Sequence, residues 1–177
     1  MFENFSELES VSFGKNLTSI GDQAFEDCTS LKTIEGGSGV KTIGTRSFSG
    51  CTALPEPFLP ASLETVGVEA FYGCKGFKSI IIPDNVKTLS SKCFMDCSNV
   101  TGIEIGSGIT EIPSYCFANS SSLKDITFSE NLVSIGERAF ENAIKLIFIN
   151  IPDGVTTIGA YAFNNLSLIH ISEPTRL

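Results

Sequence analysis

The stretch Ile20–Leu31, IGDQAFEDCTSL, decides the fold, because the chain keeps returning to it. Steps of 23 residues from its phenylalanine land on Phe2, Phe25, Phe48, Phe71, Phe94, Phe117, Phe140 and Phe163 without a slip. A fixed period of roughly 20–50 residues marks a repeat protein and has to be settled before any local structure is assigned.

The other columns keep the same beat. The turn slot ahead of each Phe holds Gly21, Gly44, Gly67, Gly136 and Gly159, with Ser90 and Pro113 in the remaining two units. These residue types suit a turn. A small residue stands just before the ring: Ala24, Ser47, Ala70, Cys93, Cys116, Ala139 and Ala162. Just after it comes a column of Phe5, Cys28, Cys51, Cys74, Cys97, Ser120 and Ala143, then one of Leu8, Leu31, Leu54, Phe77, Val100, Leu123 and Leu146.

Further on the spacing changes character. Val11, Ile80, Ile103, Ile126 and Ile149 are each followed two residues later by Phe13, Ile82, Ile105, Phe128 and Ile151. Such alternation reads as a half-buried strand, closed by Gly14, Pro83, Gly106 or Pro152. A second short strand carries apolar pairs such as Val40 and Ile43, or Val155 and Ile158. One unit cannot bury its apolar face alone, whereas stacked units turn the columns into continuous ladders. The predicted fold is a β-rich leucine-rich-repeat solenoid, mildly curved, of about seven stacked 23-residue coils. Each coil has two short strands joined by turn or 3₁₀ segments.

The pattern LxxIxIP…VxxIGxxAFxxCxxL resembles the BspA-like class of leucine-rich repeats. It is carried by Leu31 to Phe48, Phe77 to Phe94 and Leu123 to Phe140, and the match runs over nearly all of residues 2–165. The resemblance implies a surface or extracellular binding role, often adhesion to host matrix proteins or other cells, with no catalysis and no cofactor. There are departures. Pro55 and Pro57 fall inside what should be a strand, and proline cannot donate to a ladder, so that strand should be broken or bulged. Gly36-Gly37 should weaken the strand before it, and the cysteine column decays after Cys97.

The solenoid is assigned to residues 1–165. It starts in mid-repeat, with no basic and apolar export segment ahead of it and no capping unit with a polar outer face. Residues 166–177, LSLIHISEPTRL, resemble a translated transposase sequencing adapter, with Ser172 where an aliphatic strand residue belongs. The chain is therefore expected to be a fragment with a non-native tail, and its uncapped ends to favour end-to-end self-association.

The net charge of −8 leaves no Lys/Arg cluster for phosphate, which argues against nucleic acid. No apolar run approaches the roughly 18 residues of a membrane span. The six cysteines fall into two columns one period apart, Cys28, Cys51, Cys74 and Cys97 against Cys93 and Cys116. Ladders do not converge as zinc ligands must, so these thiols are read chiefly as small buried hydrophobes, with a disulfide or metal as the lesser alternative. The one histidine, His170, lies in the suspect tail, which removes the base for a Ser-His or Cys-His nucleophile. Carboxylates such as Glu26, Asp27 and Glu69 are read as solvated turn residues rather than as an acid–base pair. No catalytic, cofactor or metal site is expected.

The Phe column is core. The candidate partner-binding face is the outward side of the first strands: Lys32, Thr33, Glu35, Lys78, Ser79, Ile81, Glu104, Lys124, Asp125, Thr127, Phe148 and Asn150, with Ile81, Phe148 and Phe58 as outward apolar residues. The leading reading is a non-enzymatic binding module of a cell-surface or secreted adhesin, taking a protein or glycan partner. An intracellular scaffold is the alternative, since buried thiols also suit a reducing compartment.

Overall fold

The computed structural model describes residues 5–166. Phe2, His170 and all but the first residue of the tail lie outside that range. Each coil begins with the short strand that precedes its phenylalanine, and the coils of Phe25, Phe71, Phe94 and Phe117 end with the strand that follows it. In chain order the strands are β1 Ser10–Phe13, β2 Ser19–Ile20, β3 Thr33–Gly36, β4 Thr42–Ile43, β5 Thr65–Val66, β6 Ser79–Ile81, β7 Thr88–Leu89, β8 Gly102–Glu104, β9 Glu111–Ile112, β10 Asp125–Thr127, β11 Ser134–Ile135 and β12 Thr157–Ile158. All pairing is parallel and in register at one period, as in Ile20↔Ile43 and Ile80↔Ile103. The molecule is a parallel β-solenoid.

Between the two strands the chain takes turns, and no helix of either kind occurs among the described residues. Two residues per coil adopt the left-handed conformation, flanking the phenylalanine: Gln23 and Asp27, Lys92 and Asp96, Arg138 and Asn142, with φ of 53–64° at every non-glycine position of this kind. The reason lies in the hydrogen bonds. Around Phe25, the N–H groups of Gln23, Phe25 and Asp27 donate to the carbonyls of Thr45, Ser47 and Ser49 on the next coil, while Glu26 and Cys28 close local turns onto Gln23 and Phe25. The same alternation recurs at Phe48, Phe71, Phe94, Phe117 and Phe140. A helix would turn these donors inward along the chain. The left-handed residues aim every second one along the solenoid axis, giving a third ladder beside the two sheets.

Inside, the rings of Phe25, Phe48, Phe71, Phe94, Phe117, Phe140 and Phe163 stack with centroids 5.2–5.6 Å apart and interplanar angles of 4–17°. Near-parallel rings at that distance are offset, the favoured arrangement, and each such pair contributes about 0.5–1.5 kcal/mol beyond the area it buries. The Leu and Ile columns are buried against them.

Prolines interrupt the ladders at two places. Pro55 and Pro57 leave residues 55–59 outside any strand, and among the described residues no backbone bond joins that segment to β3 or β6. The first-strand sheet is therefore split into β1-β3 and β6-β8-β10, as the sequence predicted. β3, by contrast, is not shortened by its glycines, since Gly36 still pairs with Phe13. Phe58 corrects the sequence reading. Instead of facing outward it packs on Phe13 at 5.5 Å and Phe48 at 6.4 Å between ring centroids. Gly37 makes room for it, because a Cβ there would lie 2.8 Å from the ring. With the strand broken, its alternation no longer applies, and the ring follows the hydrophobic gain inward.

The second interruption is at Pro113. At the other junctions the turn-slot residue donates across to the preceding coil: Gly44 to Ile20, Gly67 to Ile43, Ser90 to Val66, Gly136 to Ile112 and Gly159 to Ile135, at 2.7–2.9 Å. Proline has no N–H to give. The short-strand sheet accordingly divides into β2-β4-β5-β7 and β9-β11-β12.

The left-handed positions yield a test at Gly73 (φ 67°), where an added Cβ would meet nothing within 4 Å. Gly73→Val should cost about 1–2 kcal/mol in urea unfolding from backbone strain alone. Gly73→Asn, the residue at the equivalent position in later coils, should cost less than half as much. Equal losses would refute the backbone argument.

Candidate functional site

The twelve residues singled out from the sequence are all exposed, and the register settles which of them are neighbours. Ser79, Gly102 and Asp125 are aligned across β6, β8 and β10, as are Ile81, Glu104 and Thr127. Lys78 and Lys124 stand one residue before β6 and β10. These form one continuous patch. Lys32, Thr33 and Glu35 belong to the separate β1-β3 sheet, beyond the break at Pro55–Pro57. Phe148 and Asn150 follow the last strand of the patch but lie in a segment without strand pairing.

Within the patch, Gly102 interrupts a row of side chains. A Cβ there would meet nothing within 4 Å, and the space it leaves is a cleft of about 240 Å³ walled by Ser79, Ile81, Glu104, Asp125 and Thr127, with Ile80 and Ile103 on its floor. Ile81 is 58% exposed. The cleft thus offers two hydroxyls, two carboxylates and one aliphatic surface, a set that accepts a polar or cationic group carried on an apolar stem. Beyond β10 the surface becomes apolar, with Ile144, Ile147 and Phe148 all exposed. The exposed pair Glu9–Lys32, 3.1 Å apart, adds little, since such pairs contribute about 0–1 kcal/mol.

A second feature escaped the sequence reading. Glu26 is not a solvated turn carboxylate: it is 5% exposed and meets the Arg46 guanidinium at 2.8 Å. Arg46 Nε also lies 3.4 Å from Glu69, which Lys92 approaches at 3.6 Å. The series continues as cation–π contacts, Lys92 and Arg138 over the Tyr115 ring at 5.9 and 5.8 Å and Arg138 over Tyr161 at 4.9 Å. The Glu141 carboxylate, and with it Tyr115 and Glu137, pushes the Arg138 pKa upward. One stripe of alternating charge and aromatic rings therefore climbs the turn side. It was hidden because its members, Arg46, Glu69, Lys92, Tyr115 and Arg138, share a left-handed position rather than a residue type. Beside it runs an amide ladder, Asn165 donating to Asn142 at 2.9 Å, Asn142 to Asn119 at 2.7 Å and Asn119 to Asp96 at 2.5 Å.

The cysteines are all buried and none is in a disulfide. Cys51, Cys74 and Cys97 donate to the carbonyls of Phe25, Phe48 and Phe71 at 3.1–3.3 Å. Cys93 and Cys116, in the other column, lie with their sulfurs 3.4 Å apart. No group of three or more His, Cys, Asp or Glu among the described residues is arranged to hold a metal ion. No helix of the described residues is long and apolar enough to cross a membrane.

A stack of parallel coils with a Leu/Ile wall, a phenylalanine spine and a turn-borne cysteine column defines a leucine-rich repeat protein. The chain belongs to the BspA-type family of these: the family model for the BspA type Leucine rich repeat region matches residues 1–61 and 47–170, with six copies. Among solved structures it is similar to a leucine-rich repeat protein from Bacteroides ovatus, with 29% identity and a TM-score of 0.66 over 93% of this chain and 49% of that one. It is also similar to a leucine-rich repeat protein from T. pallidum, with 28% identity and a TM-score of 0.77 over 82% of this chain and 68% of that one. A leucine rich cell surface protein from Faecalibacterium prausnitzii shares the fold at 23% identity and a TM-score of 0.56, over 96% of this chain and 62% of that one. The chain thus spans about half the length of the Bacteroides ovatus protein. Comparison with the curated proteins finds none that matches.

Burial makes stability depend on pH. It pushes the Cys51 thiol from the usual 9.0 up to about 12, and the neighbouring Cys28 acts in the same direction; Cys74 and Cys97 are raised for the same first reason. A thiol whose pKa is higher in the folded chain holds its proton there while the unfolded chain loses it. The stabilisation is complete below pH 9 and fades as pH climbs towards about 12, at up to roughly 1.4 kcal/mol per pH unit for each thiol. Urea midpoints should therefore drop between pH 9 and 11. The slope should be shallower in Cys51→Ala/Cys74→Ala, since alanine already fills that slot at Ala143. A midpoint that stays level over that range would count against the burial argument.

Proposed function

We propose that the chain is a non-enzymatic binding module of a cell-surface or secreted adhesin, and that it grips a protein or glycan on the exposed face of β6, β8 and β10. The observation that carries this reading is the cleft at Gly102, where the Ser79–Gly102–Asp125 row of outward positions is interrupted and leaves a walled recess. Repeat solenoids present such extended faces because every coil repeats the same outward positions. Ile81 and the apolar group of Ile147 and Phe148 flank the recess with surface that gains from being covered. The description of the Faecalibacterium prausnitzii protein as a cell surface protein supports the location, through the shared fold alone.

The test is binding of the whole chain to immobilised extracellular-matrix proteins and to a glycan array. At least one probe should be retained, and Gly102→Leu, whose Cβ would meet nothing within 4 Å, should weaken retention about tenfold, a loss of roughly 1.4 kcal/mol. Thr65→Lys, on the short-strand side, should leave it unchanged. Equal retention by both variants, or none by the parent chain, would remove the support for this face.

A further inference from the structure

We propose that Cys93 and Cys116 are a disulfide staple, closed when the chain folds in an oxidising compartment, across the coil junction whose short-strand ladder Pro113 interrupts. Three observations meet there. The two thiols are fully buried, stand in register one coil apart and touch at 3.4 Å between sulfurs. Their junction is the one between β7 and β9, where the sheet divides and the turn-slot residue lacks an N–H to donate. Among the described residues its step in the phenylalanine stack, 5.6 Å between Phe94 and Phe117, is slightly longer than the 5.2–5.4 Å of the others.

The other cysteine column shows why this pair is singled out. Cys51, Cys74 and Cys97 also follow one another at one period, but each points its thiol at a phenylalanine carbonyl of the preceding coil. That bond holds neighbouring sulfurs in a common orientation, one behind the other. In the Cys93 and Cys116 column the thiols are instead each other's hydrogen-bond partners. Phe94 donates its backbone N–H to the Cys116 carbonyl at 3.0 Å, so the backbones are already a ladder step apart, within the Cα separation of about 4.4–6.8 Å that a disulfide spans. To close the bond the sulfurs must approach from 3.4 Å to about 2.05 Å.

The oxidant is a disulfide, carried by a small thiol such as glutathione or by an oxidoreductase. One cysteine thiolate attacks a sulfur of that disulfide, forming a mixed disulfide and expelling one thiolate. The second cysteine thiolate then attacks its neighbour's sulfur and expels the other. The two protein sulfurs together lose two electrons and two protons, and the reagent leaves as two thiols. Burial keeps both cysteines from the reagent in the finished fold, so exchange takes place during folding or in a transient opening of the junction.

The full chain, reduced and denatured, is refolded in a mixture of reduced and oxidised glutathione; remaining thiols are then alkylated in denaturant, and peptides and Tm are measured. The expected product carries alkyl groups on Cys28, Cys51, Cys74 and Cys97 and a cross-linked Cys93–Cys116 peptide. Its Tm should exceed that of the reduced chain by roughly 5–10 °C, and dithiothreitol should abolish the difference. Cys93→Ala should remove both the cross-link and the redox dependence of Tm. It should still fold, because alanine fills that slot at Ala24, Ala70, Ala139 and Ala162. Six alkylated cysteines in the refolded chain, a cross-link within the other column, or a redox-dependent Tm that survives Cys93→Ala would each overturn the assignment.

Discussion

Every feature of this molecule depends on keeping adjacent coils in register at one backbone spacing. The stacked phenylalanines alone would not do it, because parallel rings slide past one another at little cost. The slip is prevented by the turn ladder. On each side of the rings from Phe25 to Phe140, a left-handed residue aims its N–H along the axis at the next coil, and the phenylalanine's own N–H makes a third bond between them. Left-handed backbone costs a non-glycine residue about 1–2 kcal/mol. That cost is offset by hydrogen bonds of about 0.5–1.5 kcal/mol each and by the ring that the two strained residues hold in place.

The outward face inherits that order. Because Ser79, Gly102 and Asp125 occupy the same step of successive coils, a change from side chain to hydrogen at one of them opens a recess instead of a general roughness. The same logic places the charged and aromatic stripe on the turn side. Arg46, Lys92 and Arg138 alternate with Glu69, Tyr115 and Tyr161 in one column, so each cation lies between two partners supplied by neighbouring coils.

The inward columns could be read directly from the sequence, since a slot that must be filled by Phe, Leu or Ile in every coil leaves a periodic signature. The left-handed positions could not. They accept Gln, Arg, Glu, Lys and Tyr, because the backbone, rather than the side chain, meets the constraint there. Pro55 and Pro57 announced a broken strand, but not that Phe58 would turn inward, which depends on the space over Gly37. Glu26 was misread for a related reason: its partner Arg46 stands on the next coil, at an offset of less than one full period. The recess at Gly102 carried a weak signal, a glycine in a slot otherwise held by residues such as Ser79 and Asp125.

The two proline interruptions also shape how the column carries a pull along its axis. Such a load passes from coil to coil through three parallel rows of hydrogen bonds, those of the first strands, the short strands and the turns. At Pro55–Pro57 the first-strand row is missing while Thr42–Ile43, Thr65–Val66 and the turn row continue. At Pro113 the short-strand row is missing while Gly102–Glu104 and Asp125–Thr127 remain joined. Because these two gaps sit on different sides and at different heights, neither level loses two rows together, and tension is rerouted around the circumference.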